Sequence, residues 1–140
     1  MFASNLSGKR IGDFILEDRI GRGGMAVVYR ALQVSVNRHV AMKIVPVDVE
    51  DEQHDEFNAR FELEIRLIAS LEHIHILPVY GYGITEDEYA YLAMRLMRGG
   101  TLADALRNGP LPLERAIAVF SQIGRALQHA HERGVIHRDL

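Results

Sequence analysis

Apolar and polar positions over the first hundred residues fall into short blocks rather than long stripes. Phe14 to Ile20 is rich in apolar residues and runs into Gly21, Gly23 and Gly24. Val27, Val28 and Tyr29 then resume the β-branched and aromatic character that favours a strand. Strand, glycine turn and strand predict a hairpin, and Val40 to Val47 predicts a third strand. The period then changes. Phe57, Phe61, Ile65, Ile68 and Leu71 recur at helical spacing. Asp51, Glu52, Asp55 and Glu56 crowd the start of that helix, where carboxylates suit the positive end of its dipole. Two more strands are expected near Leu77 to Tyr82 and Tyr89 to Met97, with the polar Thr85 to Glu88 as their turn.

After Gly99-Gly100 the pattern is helical. Thr101 with Asp104 predicts a capping box for a short helix that Asn108-Gly109-Pro110 ends. A longer helix is expected from about Leu113 to Arg133. Its inward stripe would be Ala116, Phe120, Ile123, Leu127 and Ala130, and Gly134 would stop it. The chain therefore reads as a small sheet with one helix, then a helical part, with the boundary near Met97 to Thr101.

Composition narrows the function classes. The 140 residues suit one ordinary domain, and a net charge of −3 carries no signature of nucleic-acid binding. The absence of cysteine excludes a disulfide framework and a thiolate zinc site, and fits a reducing compartment. Met1 to Arg10 lacks the apolar core of a signal peptide, and no apolar run approaches the roughly 20 residues that cross a bilayer. The stretch reads as soluble, with a membrane segment further along a longer chain left open.

Gly21-Arg22-Gly23-Gly24-Met25-Ala26 nearly matches G-x-G-x-x-G, with alanine in the third glycine position. Glycines mark many hairpins, so a plain turn is one reading. A dinucleotide fold would start a helix directly after the glycines, and Val27-Val28-Tyr29 is a poor helix start. A P-loop needs Gly-Lys-Ser/Thr, which is missing. A glycine loop between two strands, folded over nucleotide phosphates, fits the strand character on both sides.

Val40-Ala41-Met42-Lys43 sets a lysine inside an apolar strand. It is either an edge or snorkelling lysine or the partner of a buried acid. On a helical wheel Glu64 falls within the apolar stripe, three residues after Phe61 and four before Ile68. A carboxylate there is costly unless paired, and Lys43 is the natural partner. A slightly rotated helix would instead leave Glu64 in water. Finally, Val135-Ile136-His137-Arg138-Asp139-Leu140 follows a long amphipathic helix and a glycine stop. The tripeptide His-Arg-Asp alone means little. Glycine loop, lysine, glutamate and His-Arg-Asp in this order are four weak signals that support one another.

On these residues the chain resembles the bacterial, eukaryotic-like serine/threonine protein kinases. Ile20 to Leu32 is similar to their glycine loop, Arg60-Phe61 and His73-Ile74-His75-Ile76 to their helix-to-strand passage, and Tyr91 to Met94 to the strand before the hinge. The resemblance implies an α+β, protein-kinase-like fold: a five-stranded antiparallel N-lobe sheet with one helix over 13–97, and the incomplete start of a C-lobe over 98–140. Residues 1–12 would be an extension. It implies an ATP site from Ile20, Gly21, Arg22, Gly23, Gly24, Met25, Ala26, Val27 and Val28, with Ala41, Lys43, the gatekeeper Met94, and hinge backbone at Arg95 and Met97. Lys43 would hold the α/β-phosphates and be held by Glu64. Asp139 would accept or orient the proton of a substrate hydroxyl, and Arg138 would dock a phosphorylated activation loop.

Ala26 for glycine, Arg95 where glutamate is common, and Ile74-His75 for Pro-Asn are mild departures. The asparagine expected five positions after Asp139 and Asp-Phe-Gly, the family's magnesium ligands, fall beyond Leu140, so no metal ligand is expected within these residues. The implied cofactors are ATP and Mg2+, the implied partners are protein substrates with Ser/Thr and neither nucleic acid nor membrane, and the implied location is cytoplasmic. The chain by itself is expected not to transfer phosphoryl groups efficiently, and to expose an apolar patch on the long helix. A truncated, non-catalytic nucleotide- or partner-binding module is the alternative. His73, His75, His129, His131 and His137 are read as surface or packed histidines. His131-Glu132 begins an H-E-x-x-H, but Val135 takes the second histidine position.

Overall fold

The computed structural model describes residues 5–24, 26–47 and 54–137, without the side chains of 54–58. The chain divides into two compact units, Met1–Ala69 with Pro78–Leu96 and Ser70–Leu77 with Met97–Leu140.

The first unit is a six-stranded antiparallel sheet in the order β1-β2-β3-β4-β6-β5. Its strands are β1 Arg10–Ile11, β2 Phe14–Gly23, β3 Ala26–Gln33, β4 Arg38–Pro46, β5 Val79–Ile84 and β6 Tyr89–Arg95. Helix α1, His54–Ala69, lies between β4 and β5 in the chain. Five of the strands are the expected ones. The sixth, β1, is a two-residue strand that pairs Arg10 with Ile15 and Ile11 with Phe14. The acidic helix start at Asp51 and Glu52 lies outside the described residues.

The core lies on one face of the sheet. Along β3 and β4 the inward positions are Val27, Tyr29 and Ala31, then Val40, Met42 and Ile44, all nearly inaccessible to solvent. They face each other in register, Val27 with Ile44, Tyr29 with Met42 and Ala31 with Val40. This is the period of two that a strand imposes.

The sheet curls until its edges meet. The Phe14 and Tyr91 rings pack edge to face, 6.4 Å apart, although β2 and β6 are not neighbours in the sheet. Close approach is possible because β5 presents glycines there. A Cβ on Gly81 would stand 3.2 Å from the Phe14 ring, and one on Gly83 would stand 3.0 Å from the Tyr91 ring. The segment before β1 closes the curl. Leu6 is buried and its N–H donates to the Tyr29 hydroxyl at 3.1 Å. Gly8 and Lys9 exchange backbone hydrogen bonds with Leu16. The Lys9 ammonium pairs with Asp87 and lies 5.5 Å from the centre of the Tyr89 ring. Residues 5–12 thus form part of the folded unit rather than an extension from it.

In the second unit, α2 spans Leu102–Leu106 and α3 spans Leu113–His131. The capping box at α2 is complete. The Asp104 N–H donates to Thr101 Oγ1 at 3.0 Å, and the Thr101 N–H donates to Asp104 Oδ2 at 2.8 Å. The Thr101 N–H, and then the Thr101 hydroxyl, both donating to Asp104 Oδ2, hold the Asp104 carboxyl below its usual range. Gly134, at φ 79°, ends α3: its N–H donates to His131 O and the next, Val135 N–H, to Ala130 O.

Of the expected inward stripe of α3, Ala116, Ile123, Leu127 and Ala130 are partly covered, and Phe120 departs from it. Phe120 is 76% exposed, as are much of Leu113 and Ile117, while Ala126 is the buried position. The segment 70–77 meets α3 at His129, where the His73 and His129 rings pack. The helix therefore turns toward that side, and the Leu113, Ile117 and Phe120 row, spaced four and three residues apart, points to solvent.

Candidate functional site

Register brings four of the expected site residues onto one face of the sheet, opposite the core. Val28 pairs with Lys43 and Lys43 with Leu92, while Arg30 pairs with Ala41 and Ala41 with Met94. Residues directly opposite in adjacent strands share a face, as do residues two apart in one strand. Val28, Ala41, Lys43 and Met94 therefore line a common surface. Gly21 joins it, being opposite Val28 in β2. Val27, grouped with them from the sequence, faces the core instead and is buried; strand alternation forbids Val27 and Val28 from sharing a face.

The hairpin above this surface is the β2–β3 connection. Gly23 pairs with Ala26, and Gly24 follows Gly23 at the end of the strand. Gly24 has φ 47°, a left-handed conformation that glycine takes readily. Met25 lies outside the described residues. Neither Gly21 nor Gly23 has a left-handed φ, and a Cβ on Gly23 would meet nothing within 4 Å. The local fold therefore does not itself demand glycine at 23. Arg22 is exposed, and Ile20 is 50% exposed in the stretch where β2 slips its register against β3.

Lys43 is exposed rather than buried, because its strand turns the apolar neighbours Met42 and Ile44 to the core and the lysine to the open face. Glu64 is exposed too. Among the described side chains of α1 the buried one is Ile65, with Phe61, Ile68 and Ala69 partly covered. One residue is about 100° of helix, so seating Ile65 turns Glu64 to water, where its charge needs no partner. Among the described residues neither Lys43 nor Glu64 belongs to an ion pair.

The acidic and basic side chains beside this surface are already partnered with one another. Arg30 reaches Glu17 and Asp18, each at 2.8 Å, and His39 lies 3.3 Å from Glu17. Lys43 thus remains the unpartnered cation on the face carrying Val28, Ala41 and Met94. The Arg95 N–H donates to Pro78 O at 3.1 Å, which fixes the end of β6. Met97 belongs to the second unit and is 63% exposed. Arg138 and Asp139 lie outside the described residues. Among the described residues no three histidine or carboxylate side chains stand where they could hold a metal, and no helix is long and apolar enough to cross a membrane.

Residues 14–140 match the family model described as the protein kinase domain. The chain is 39% identical over 137 residues to serine/threonine-protein kinase PrkC of Bacillus subtilis, covering 96% of this chain and 21% of that protein. It is 36% identical over 139 residues to serine/threonine-protein kinase PknE of Mycobacterium bovis, covering 99% of this chain and 24% of that protein. The chain thus spans less than a quarter of the length of these relatives. Among solved structures, the kinase domain of Mycobacterium tuberculosis PknI superposes with a TM-score of 0.82 at 26% identity, over 98% of this chain and 55% of that one. The architecture is accordingly that of a kinase N-lobe and the start of a C-lobe.

Proposed function

The chain belongs to the protein kinase family, and we propose from that premise that it carries the ATP-holding part of a serine/threonine protein kinase. Such an enzyme transfers the ATP γ-phosphoryl group to protein hydroxyls. One observation carries the reading: a single sheet face aligns Val28, Ala41, Lys43 and Met94 beside a glycine hairpin whose Gly23 is not required by packing.

The chemistry follows from what these groups can do. Val28 and Ala41, with Ile20, give the adenine an apolar bed, and Met94 limits its depth. Backbone at Arg95 supplies a polar edge contact. The hairpin from Gly21 to Ala26 lets main-chain N–H groups approach phosphate oxygens without a Cβ between. Lys43, an exposed ammonium with no acid of its own, is a suitable counter-charge for the α/β-phosphates. Asp139 takes or orients the hydroxyl proton, and Arg138 receives an activation-loop phosphate. Mg2+ bound with the nucleotide would neutralise charge on its phosphates. In this state Glu64 does not reach Lys43, so the reading includes a movement of α1 that pairs them. We assign residues 13–97 to the N-lobe and 98–140 to the C-lobe start, with Ser/Thr-bearing proteins as substrates. A nucleotide-dependent enzyme part without cysteine fits the cytoplasm, and the net charge of −3 fits no nucleic-acid partner.

The test is transfer of labelled phosphate from ATP to casein by the intact protein with Mg2+. Asp139→Asn should lower transfer by about 10²–10⁴-fold, the usual weight of a general base. Undiminished transfer by that variant would refute the assignment. The unpaired Lys43 and Glu64 favour a second reading, a nucleotide- or partner-binding module without transfer. ATP binding by the wild-type protein with no transfer to casein or to itself would select it.

A further inference from the structure

We infer that His73, His75 and His129 form a pH-sensitive clasp that fastens the segment 70–77 to helix α3 at neutral pH and loosens it in mild acid. The inference does not depend on the nucleotide reading. Both partners lie in the second unit. The His73 ring packs 5.1 Å from the His129 ring and 5.6 Å from the His75 ring.

Two features of the geometry require uncharged rings. The His75 N–H donates to His73 Nδ1 at 3.0 Å. That nitrogen must therefore offer its lone pair, and a neutral His73 carries its proton on Nε2. Protonation would place a second N–H at Nδ1, facing the His75 N–H, and the bond would be lost. Across the contact, His129 Nε2 is buried with no hydrogen-bond partner. A ring nitrogen shut away from water in this way leaves a charge placed on the neighbouring His73 ring poorly solvated.

The surrounding charges act in the same direction. Burial, then His129, His75, Arg125 and Arg133, all hold the His73 ring below the ordinary histidine range. Arg125 and Arg133 flank His129 by one helical turn on either side, and Arg133 Nη1 bonds the His129 carbonyl at 3.1 Å. Protonation of His73 would add a positive charge to a site already flanked by two guanidinium groups. The sign follows from proton uptake. The unfolded or released segment binds protons near the ordinary histidine value, while the clasped one resists until a lower pH. The contact is at full strength above the ordinary value and weakens as pH falls through it. Histidine is the side chain whose charge changes in this window. Chain continuity makes 70–77 the tether at the end of α1, the helix that bears Glu64.

Backbone hydrogen exchange on the intact protein at pH 7.5 and 5.5, corrected for intrinsic rates, tests the clasp. Protection across 71–77 should fall severalfold relative to β4 as the pH is lowered, because His73 takes up its proton more readily when the segment is released. His73→Asn with His129→Phe keeps an acceptor and a ring but removes the His73 titration, and should abolish that pH dependence. Equal pH dependence in wild type and variant, or unchanged protection at pH 5.5, overturns the inference. If the variant fails to fold, histidine Cε1 proton titration of the wild type decides. His73 must titrate below free histidine, and a value at or above it overturns the clasp.

Discussion

Deleting residues 1–12 tests whether the segment before the family match is structural. The matched domain begins at residue 14, yet Leu6 is only 8% exposed and Ile11 only 5%. Burying one such side chain contributes about 1.5–3 kcal/mol, so the pair accounts for at most about 3–6 kcal/mol. That is a large share of the roughly 5–15 kcal/mol by which a domain is stable. The gentler perturbation is Leu6→Ala, with an expected loss of about 2–3 kcal/mol at a site whose neighbours can partly relax. Urea unfolding followed by circular dichroism would show a midpoint lower by about 1–1.5 M, taking a slope of about 2 kcal/mol/M. Ser7→Ala, at an exposed position beside it, is the control and should shift stability by less than about 0.5 kcal/mol. If Leu6→Ala and Ser7→Ala melt together, the segment does not close the curl and the reasoning fails.

Three other outcomes are expected. Lys43→Met should weaken binding of a fluorescent ATP analogue at least tenfold while leaving the melting temperature unchanged, because Lys43 is exposed and unpaired; a lowered melting temperature would mean a structural lysine. Thr101→Ala should lower amide protection at Asp104 by removing a cap that contributes about 1 kcal/mol, and unaltered exchange there would count against it. Asp13 holds Ser35 through both its backbone N–H and its hydroxyl, with the side-chain bond the larger cause of a carboxyl pKa below the usual range. Its contribution is present above the ordinary carboxylate value and is lost as pH falls through the lower folded one. Asp13→Asn should therefore flatten the acid limb of a stability profile, and an unchanged limb would refute that.

The strands were legible because β3 and β4 are short blocks of β-branched, aromatic and other apolar residues, and the Thr101–Asp104 box because local spacing determines it. β1 was not, since two residues cannot display a period and Arg10–Ile11 is held by what Phe14 and Ile15 offer across the turn. Lys43 sat among apolar residues on both sides in sequence, so its exposure came only from register. Glu64 and Ile65 are adjacent in sequence but about 100° apart on the wheel, at opposite margins of the apolar stripe, and the choice between them was made by packing. Phe120 read as core because an apolar helix with two adjoining apolar rows does not reveal which row meets a neighbour. The alignment of Val28, Ala41, Lys43 and Met94 followed from strand pairing that no local pattern encodes, whereas their chemical types and order were readable in advance.

The two glycines of β5 have an evolutionary implication. Gly81 lies against the Phe14 ring and Gly83 against the Tyr91 ring, each too near to admit a Cβ without a shift. A larger residue at either position becomes tolerable only if its facing ring shrinks, and a smaller ring leaves a void unless the glycine grows. Drift here should proceed through compensating pairs, so that Gly83→Ala, which costs about 1–3 kcal/mol alone, is partly rescued by Tyr91→Leu. The sign of an individual substitution along β5 then depends on the genetic background at residues 14 and 91, a local case of epistasis written by the closure of a curled sheet.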